Sequence, residues 1–436
     1  MNRRIALIIC FLSTISVFSQ QLSLNFPHFK EKEYSLFIHQ GTRTDTIARG
    51  YIDKNGYIEV NIPDSYKGYT GIVSWRIQQG GGLDFILTKT DLDIVCTEAI
   101  PNGENIQYKG NQENKFLLQY YNKQENLFRK ANTIYLTLDA YQNEPESKLK
   151  VELKQEYNQL KKQFEELYTK TIKENSYSAR YSRIRDFYNR IPLYQMPEVD
   201  SNNEARVLDE ARRFISEEID MEVLFTSGFW SSVISYTFEI YPNEKDFGDI
   251  MVRLLKRTSD PIVFNQLAED LVTIVEQFAW EEAEEIIVEY LKESKRIQPK
   301  GIMYLAFERA KIQKGGKVPV LIEDGKPITI SSPTLLIFYE EGCTNCDIQI
   351  RQLTEQYDRI KQKGYDIISV SADTDPEVGE SSPSFPWSKN ICDYDGLEGI
   401  NFQNYGIFGT PTILLIDKEG KLEGRYARLE DIEVLF

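Results

Sequence analysis

Two cysteines three positions apart, Cys343 and Cys346, are the residues of this chain best suited to chemistry. They enclose Thr344 and Asn345. They follow an apolar run, Thr334–Tyr339, and a short Glu340-Glu341-Gly342 turn. The next apolar residues, Ile348, Leu353 and Tyr357, recur at helical spacing. The pair is therefore expected at a strand-to-helix junction. A helix N-terminus presents unpaired backbone N–H groups and the positive end of a dipole. A thiolate at Cys343 is favoured there, and the thiolate is the attacking species in thiol–disulfide exchange. Cys346, one turn on, is within reach to resolve the mixed disulfide that Cys343 forms. Two cysteines at this spacing also make half a zinc site. That reading needs a second pair or nearby histidines, and this region has neither.

A second element lies downstream. Thr410-Pro411 opens the apolar run Thr412–Ile416. Proline at a strand start removes one ladder donor and can hold a cis peptide bond. If this loop lies against the cysteines, the backbone of Thr410 is free to pair with an extended substrate segment. An ordinary turn proline is the plainer alternative.

These elements imply others. Val318–Ile322 and Pro327–Ile330 flank Asp324-Gly325, a hairpin signal. Tyr365–Ser371 reads as a further buried strand, and Thr412–Ile416 passes through a Lys418–Lys421 turn into a return strand. Strand, helix, strand and hairpin make an α/β pattern with one mixed sheet.

The segment from Val318 to Asp417 resembles the TlpA/ResA-like branch of extracytoplasmic thioredoxins. Phe338-Tyr339-Glu340-Glu341-Gly342-Cys343 falls where that family has Phe-Trp-Ala-x-Trp-Cys, and Gly409-Thr410-Pro411-Thr412 matches its Gly-x-Pro-Thr loop. The resemblance implies a thioredoxin-like domain, thiol–disulfide oxidoreductase activity and a redox-active Cys343–Cys346 disulfide. It implies a substrate groove shaped by Thr410 and Pro411, modulating positions at Tyr339 and Glu341, and a membrane-embedded thiol reductant as partner. Three departures bear on the chemistry. Gly342 stands where an aromatic is usual. Thr344-Asn345 replaces the usual dipeptide. Ile337 occupies the position, six before the first cysteine, that often holds a buried carboxylate. The negative charge of Glu340 and Glu341 opposes thiolate formation.

The chain has 436 residues, enough for two or three domains. A formal net charge of −16 argues against a nucleic-acid partner, because phosphate binding needs clustered Lys and Arg. Arg3 and Arg4 followed by the apolar run Ile5–Val17 read as a secretory signal with cleavage before Gln20. Residues 1–19 are then a signal peptide and the mature protein is periplasmic or otherwise exported. Cys10 lacks the small residue before it that a lipoprotein signal needs.

Between residues 20 and 111, period-2 alternation with Gly and Asp breaks reads as an antiparallel β-sandwich. Asn55-Gly56 lies between two of its strands as a hairpin turn. His28 and His39, the two histidines of the chain, stand in no ligand cluster. From 112 to 312 the period becomes helical: Leu149, Leu153, Leu160, Phe164, Leu167 and Ile172 mark one long amphipathic helix. Phe229 and Trp230 read as core aromatics rather than a ligand site. Residues 313–436 complete the chain as the thioredoxin-like segment. The fold class is thus multidomain α+β: sandwich, helical module, thioredoxin-like α/β domain.

Thiol–disulfide exchange needs no metal or organic cofactor, and its substrates are protein or small-molecule thiols and disulfides. The rival is a binding or assembly protein whose thioredoxin-like scaffold carries a structural disulfide. A thiol peroxidase is weaker, since the residues before Cys343 and Cys346 lack the Pro-x-x-x-Thr/Ser-x-x-Cys pattern. Cys392 reads as a small buried hydrophobe, with an accessory resolving role as the alternative; a Cys96–Cys392 bridge is open, since spacing does not argue for or against it.

Overall fold

Alternation of apolar and polar residues builds the N-terminal strands. The structure, a computed structural model, describes residues 20–78, 80–141, 143, 147–194, 204–241, 243–278, 280–375 and 385–435. The expected signal peptide, with Arg3, Arg4 and Cys10, lies outside the described residues. Eight strands come first: β1 (Gln21–Asn25), β2 (Glu33–Gln40), β3 (Arg43–Tyr51), β4 (Tyr57–Asn61), β5 (Gly71–Ile77), β6 (Gly82–Leu87), β7 (Leu92–Val95) and β8 (Gln107–Lys109). They form two four-stranded sheets, β4-β1-β7-β8 and β3-β2-β5-β6. Leu22, Leu24, Ile58 and Ile94 from one sheet share a core with Leu36, Ile38, Val73, Trp75 and Phe85 from the other. All pairings are antiparallel except β1 with β7, which is parallel.

The Asn55-Gly56 turn does not close a hairpin. β3 pairs with β2, and β4 pairs with β1, so the turn carries the chain from one sheet to the other. The turn chemistry itself is as expected. Gly56 has φ +83°, and the Asp53 carboxylate accepts from the N–H groups of Asn55 and Tyr57 at 2.8 and 2.7 Å. What differs is where the strands find partners, which a local signal does not specify.

Six helices follow: α1 (Glu113–Ala140), α2 (Lys148–Ile172), α3 (Tyr177–Tyr194), α4 (Glu204–Arg213), α5 (Met221–Phe225) and α6 (Trp230–Ile240). Helix α2 starts at a Ser147 N-cap whose hydroxyl accepts from Lys150 N–H. A π-helical segment, Phe214–Glu218, extends α4. Trp230 is buried, edge-on to Phe225.

The chain divides into two units between Ile240 and Tyr241. The second unit opens with α7 (Glu244–Arg257), α8 (Pro261–Gln277), α9 (Glu281–Ser294) and α10 (Ile302–Arg309). Asn243 and Asp260 cap α7 and α8, with Pro261 at the first helical position, where a missing N–H matters least. The hairpin β9 (Leu321–Glu323) and β10 (Lys326–Ile328) turns through Asp324 and Gly325, both at positive φ.

Then come β11 (Thr334–Tyr339), α11 (Thr344–Glu355), α12 (Tyr357–Gln362), β12 (Asp366–Ser371), β13 (Lys389–Cys392), α13 (Ile400–Tyr405), β14 (Thr412–Ile416) and β15 (Leu422–Tyr426). The five strands order as β13-β12-β11-β14-β15. β11, β12 and β13 are parallel; β14 and β15 are antiparallel to their neighbours. Every residue of β11 is buried, and its side chains alternate between two cores. Leu336 and Phe338 pack with Phe402 and Tyr405 of α13. Leu335, Ile337 and Tyr339 pack with Cys346 and Leu353 of α11 and with Ile360 of α12. Helices therefore cover both faces of one mixed sheet.

Candidate active site

The site sits where β11 ends and α11 begins. Gly342 at φ +78° makes the connecting turn, and no atom lies within 4 Å of where its Cβ would be. A backbone in this region favours glycine over the aromatic that the family pattern carries. Cys343 is the N-cap residue of α11, and its carbonyl accepts from Asp347 N–H at 2.9 Å. Cys343 is half-buried and Cys346 is fully buried; both are free thiols.

Position makes the two thiols unlike. Partial burial works against ionising Cys343. A hydrogen bond from the Cys346 thiol and the N–H groups of Cys346 and Asn345 outweigh it, so the Cys343 thiol lies below its ordinary value. Asn345 and Cys346 are the second and third residues of the helix, whose N–H groups an N-cap side chain normally takes up. Cys346 moves the other way. Burial, reinforced by its hydrogen bond to Cys343, pushes it up to about 11.

Thr410 and Pro411 lie beside this pair. Their peptide bond is cis. Thr410 O is 3.9 Å from Cys343 Sγ, which donates to it. The loop leads into β14, whose Thr412 pairs with Phe338 of β11.

The other expected positions resolve as follows. Ile337 is fully buried among apolar side chains behind Cys346. Tyr339 donates from its hydroxyl to Asn390 Oδ1 at 3.2 Å, and burial pushes its pKa up to about 12. Glu341 donates its backbone N–H to Asp373 Oδ1 at 2.9 Å. Asp373, buried just past β12, also accepts from Ser371 Oγ. It was not singled out from sequence; an isolated Ser-x-Asp after an apolar strand gives no signal that it will anchor the turn of a different strand. Cys392 ends β13 and donates from Sγ to Asp373 O at 3.6 Å; burial raises its pKa. Cys96 is buried in the first unit, its Sγ 3.3 Å from Asn105 Oδ1. His28 and His39 bond to Thr97 O and Ser74 Oγ, each at 3.1 Å. Among the described residues, no three or more His, Cys, Asp and Glu side chains are grouped to hold a metal ion.

Known proteins are similar in sequence to the C-terminal part of this chain. The sequence profile of a thioredoxin-like family matches residues 331–422. The thiol-disulfide oxidoreductase ResA of Bacillus cereus (strain ATCC 10987) is 33% identical over 88 residues, which is 20% of this chain and 50% of ResA. ResA of Bacillus anthracis is 28% identical over 123 residues, 26% of this chain and 70% of that protein. Nucleoredoxin of Danio rerio is 31% identical over 96 residues, 21% of this chain and 23% of that protein. The match therefore spans only about a quarter to a half of nucleoredoxin and the Bacillus cereus ResA. Among solved structures, a putative thiol:disulfide interchange protein DsbE from Chlorobium tepidum is 24% identical, covering 28% of this chain and 93% of its own, with a TM-score of 0.25. The C-terminal part of this chain is a thioredoxin-like domain, similar in sequence to the ResA oxidoreductases and preceded by β-rich and helical segments.

Proposed function

We propose that this chain is an extracytoplasmic thiol–disulfide oxidoreductase in which Cys343 attacks and Cys346 resolves. The observation that carries the reading is the asymmetry of the pair. Cys343 is half-exposed at a helix N-terminus with its thiol held below the ordinary value, whereas Cys346 is buried and held above it. A thiolate is then present where a substrate can reach it, and a protonated thiol is kept where it cannot.

The exchange balances in two steps. The Cys343 thiolate attacks one sulfur of a substrate disulfide; a Cys343–substrate disulfide forms and the other substrate sulfur leaves as a thiolate. Cys346, on losing its proton, attacks Cys343 Sγ; a Cys343–Cys346 disulfide forms and the second substrate thiolate departs. The substrate gains two electrons and the pair loses two. An external thiol reductant returns the pair to the dithiol, and a membrane-embedded donor fits an exported enzyme. Thr410 and Pro411 border the groove in which an extended substrate pairs with the backbone. Tyr339 modulates the site from the end of β11 and Glu341 from the turn. Segment 313–436 is the catalytic part, with 20–111 and 112–312 as accessory segments. Export rests on Arg3, Arg4 and the apolar run after them; no described helix is long and apolar enough to cross a membrane.

The test is trapping. Cys346→Ser incubated with a disulfide substrate should accumulate a covalent adduct on a non-reducing gel, and Cys343→Ser should accumulate none. An adduct with Cys343→Ser alone would reverse the roles. No adduct with either would favour a scaffold whose cysteines form a structural bond.

A further inference from the structure

Four charged side chains meet in the second unit at a place the exchange chemistry does not use. Arg309, the last residue of α10, is buried. Its guanidinium pairs with Glu276 near the end of α8 and with Glu284 near the start of α9, Nε lying 2.9 Å from Glu284 Oε1. Arg425 of β15 interacts with the same three groups, so two cations face two carboxylates. Burial holds the Glu284 carboxyl above the usual range while Arg309 pulls it down.

The face of the Arg309 guanidinium is also occupied. Its central carbon lies 4.2 Å from the centroid of the Phe408 ring. Phe408 immediately precedes Gly409-Thr410-Pro411. The backbone is equally close: a Cβ on Gly406, at φ +58°, would stand 2.4 Å from Leu305 O and 2.5 Å from Arg309 N. The last turn of α10 therefore lies directly against the chain that leads into the loop beside Cys343. Thr410, two residues past Phe408, is the residue whose carbonyl accepts from Cys343 Sγ at 3.9 Å.

The chemistry suits arginine. A planar guanidinium can spend its edge on two carboxylates and still stack its face on a ring; a lysine ammonium cannot do both. One side chain thus ties α8, α9 and α10 to the residue that enters the substrate loop.

We propose that Arg309 is a positioning residue for the thiol pair: by clamping Phe408 it holds Thr410 beside Cys343 and so sets how readily that thiol reacts. The inference rests on reading Cys343 as the nucleophile. It gives helices α8–α10 a task, to buttress the loop opposite the cysteines.

Arg309→Ala is a poor probe, since it strands two buried carboxylates and threatens the fold. Phe408→Leu removes the ring and keeps the charge cluster. Arg309→Lys keeps the charge and loses the planar face. The readout is the rate of iodoacetamide alkylation at Cys343, followed by mass spectrometry of the full chain as a function of pH. The titratable groups that neighbour Cys343 are Cys346 and Asp347 on α11, Glu340 and Glu341 before it, and Asp373 after β12; neither substitution alters them. Both variants should move the Cys343 profile along the pH axis in the same direction, changing the rate at pH 7 by roughly three- to tenfold. Leu291→Ala, a core truncation two turns beyond Glu284 on α9, serves as the control for simple loosening and should leave the profile in place. An unmoved profile in Phe408→Leu, or an equal shift in Leu291→Ala, would overturn the inference. So would a shift confined to Arg309→Lys, because Arg309 would then act on Cys343 by a route that does not pass through Phe408. Alkylation needs no turnover. A wild-type chain that fails to exchange disulfides, with the variant shifts intact, would sink the enzymatic reading and leave the clamp standing.

Discussion

Cys96 and Cys343 both follow the carboxyl end of a strand buried in the middle of a sheet, yet they are chemically different residues. Cys96 comes directly after β7. Its N–H donates to Asn25 O at 3.0 Å, its thiol is buried against Asn105, and the chain beyond it runs through loop and β8 before α1 begins at Glu113. Cys343 comes after a glycine turn, and the next residue already belongs to a twelve-residue helix. Two helix N–H groups and a neighbouring thiol stabilise its anion, and it is open to solvent on one side. Cys392, at the end of β13, repeats the first situation within the second unit: it bonds to a carbonyl, and burial raises its pKa. A strand end presents a side chain, but what the chain does next decides whether a thiol there becomes a nucleophile or a packing group.

The comparison breaks most sharply under substitution. Cys343→Ala should abolish disulfide exchange outright, because the attacking atom is gone, while unfolding in urea changes by less than about 1 kcal/mol at this half-exposed position. Cys96→Ala should do the reverse. Turnover stays at the wild-type level and stability falls by roughly 1 kcal/mol from lost packing in the sandwich core. Turnover assays and denaturation curves on the two variants check both halves. Loss of exchange in Cys96→Ala would mean that the strand-end argument is wrong.

How much of this could be read from residues alone depends on how local the cause is. β11 declared itself through six consecutive apolar or β-favouring residues, Thr334–Tyr339, and the β9–β10 hairpin through Asp324-Gly325. The cysteine pair and Thr410-Pro411 were legible because spacing and turn chemistry are sequence properties. The partners of Asn55-Gly56 were not, since pairing across sheets depends on which apolar faces meet. β13, Lys389–Cys392, is four residues with one fully buried side chain, and only its ladder with β12 makes it a strand. Helix α3 has no apolar periodicity to mark its bounds, because its buried face includes Ser178, Ser182 and Asp186; the last is satisfied by Tyr120 and Gln124 of α1. Arg309 on Phe408 lies beyond sequence reading for the same reason: nothing local marks an arginine that will meet carboxylates from two other helices and a ring from a distant loop.

A middle-sized effect separates the thiols by pH. Alkylation follows the thiolate fraction, which rises with pH through each group's pKa. Cys343 is held below the ordinary thiol value, so its rate should reach half-maximum at lower pH than that of Cys392, whose thiol burial raises. Cys346→Ala removes one of the donors that stabilises the Cys343 anion. The Cys343 midpoint should then climb by about one unit, a tenfold fall in rate below the pKa. A midpoint that stays put would give the second thiol no share and leave the effect to the helix N–H groups and the Thr410 loop.

The smallest effect concerns the turn itself. Glu341 stands two residues before Cys343 and places negative charge beside a developing thiolate. Its backbone is held whichever side chain it carries, because its N–H donates to Asp373 Oδ1. Glu341→Gln therefore changes charge with little change in shape. Two residues of chain span at most about 7 Å, and two unit charges at about that separation in water repel by about 0.6 kcal/mol before salt. Physiological ionic strength screens part of that, so the Cys343 midpoint should fall by less than about half a unit. The sign is the informative part: removing a negative neighbour favours the anion, so alkylation at neutral pH should speed up. The same substitution should leave Cys392 unmoved, since the carbonyl it bonds to is unchanged. Repeating the titration at low and high salt completes the test. A shift that persists undiminished in high salt would show Glu341 acting on Cys343 through a structural change in the turn rather than through its charge.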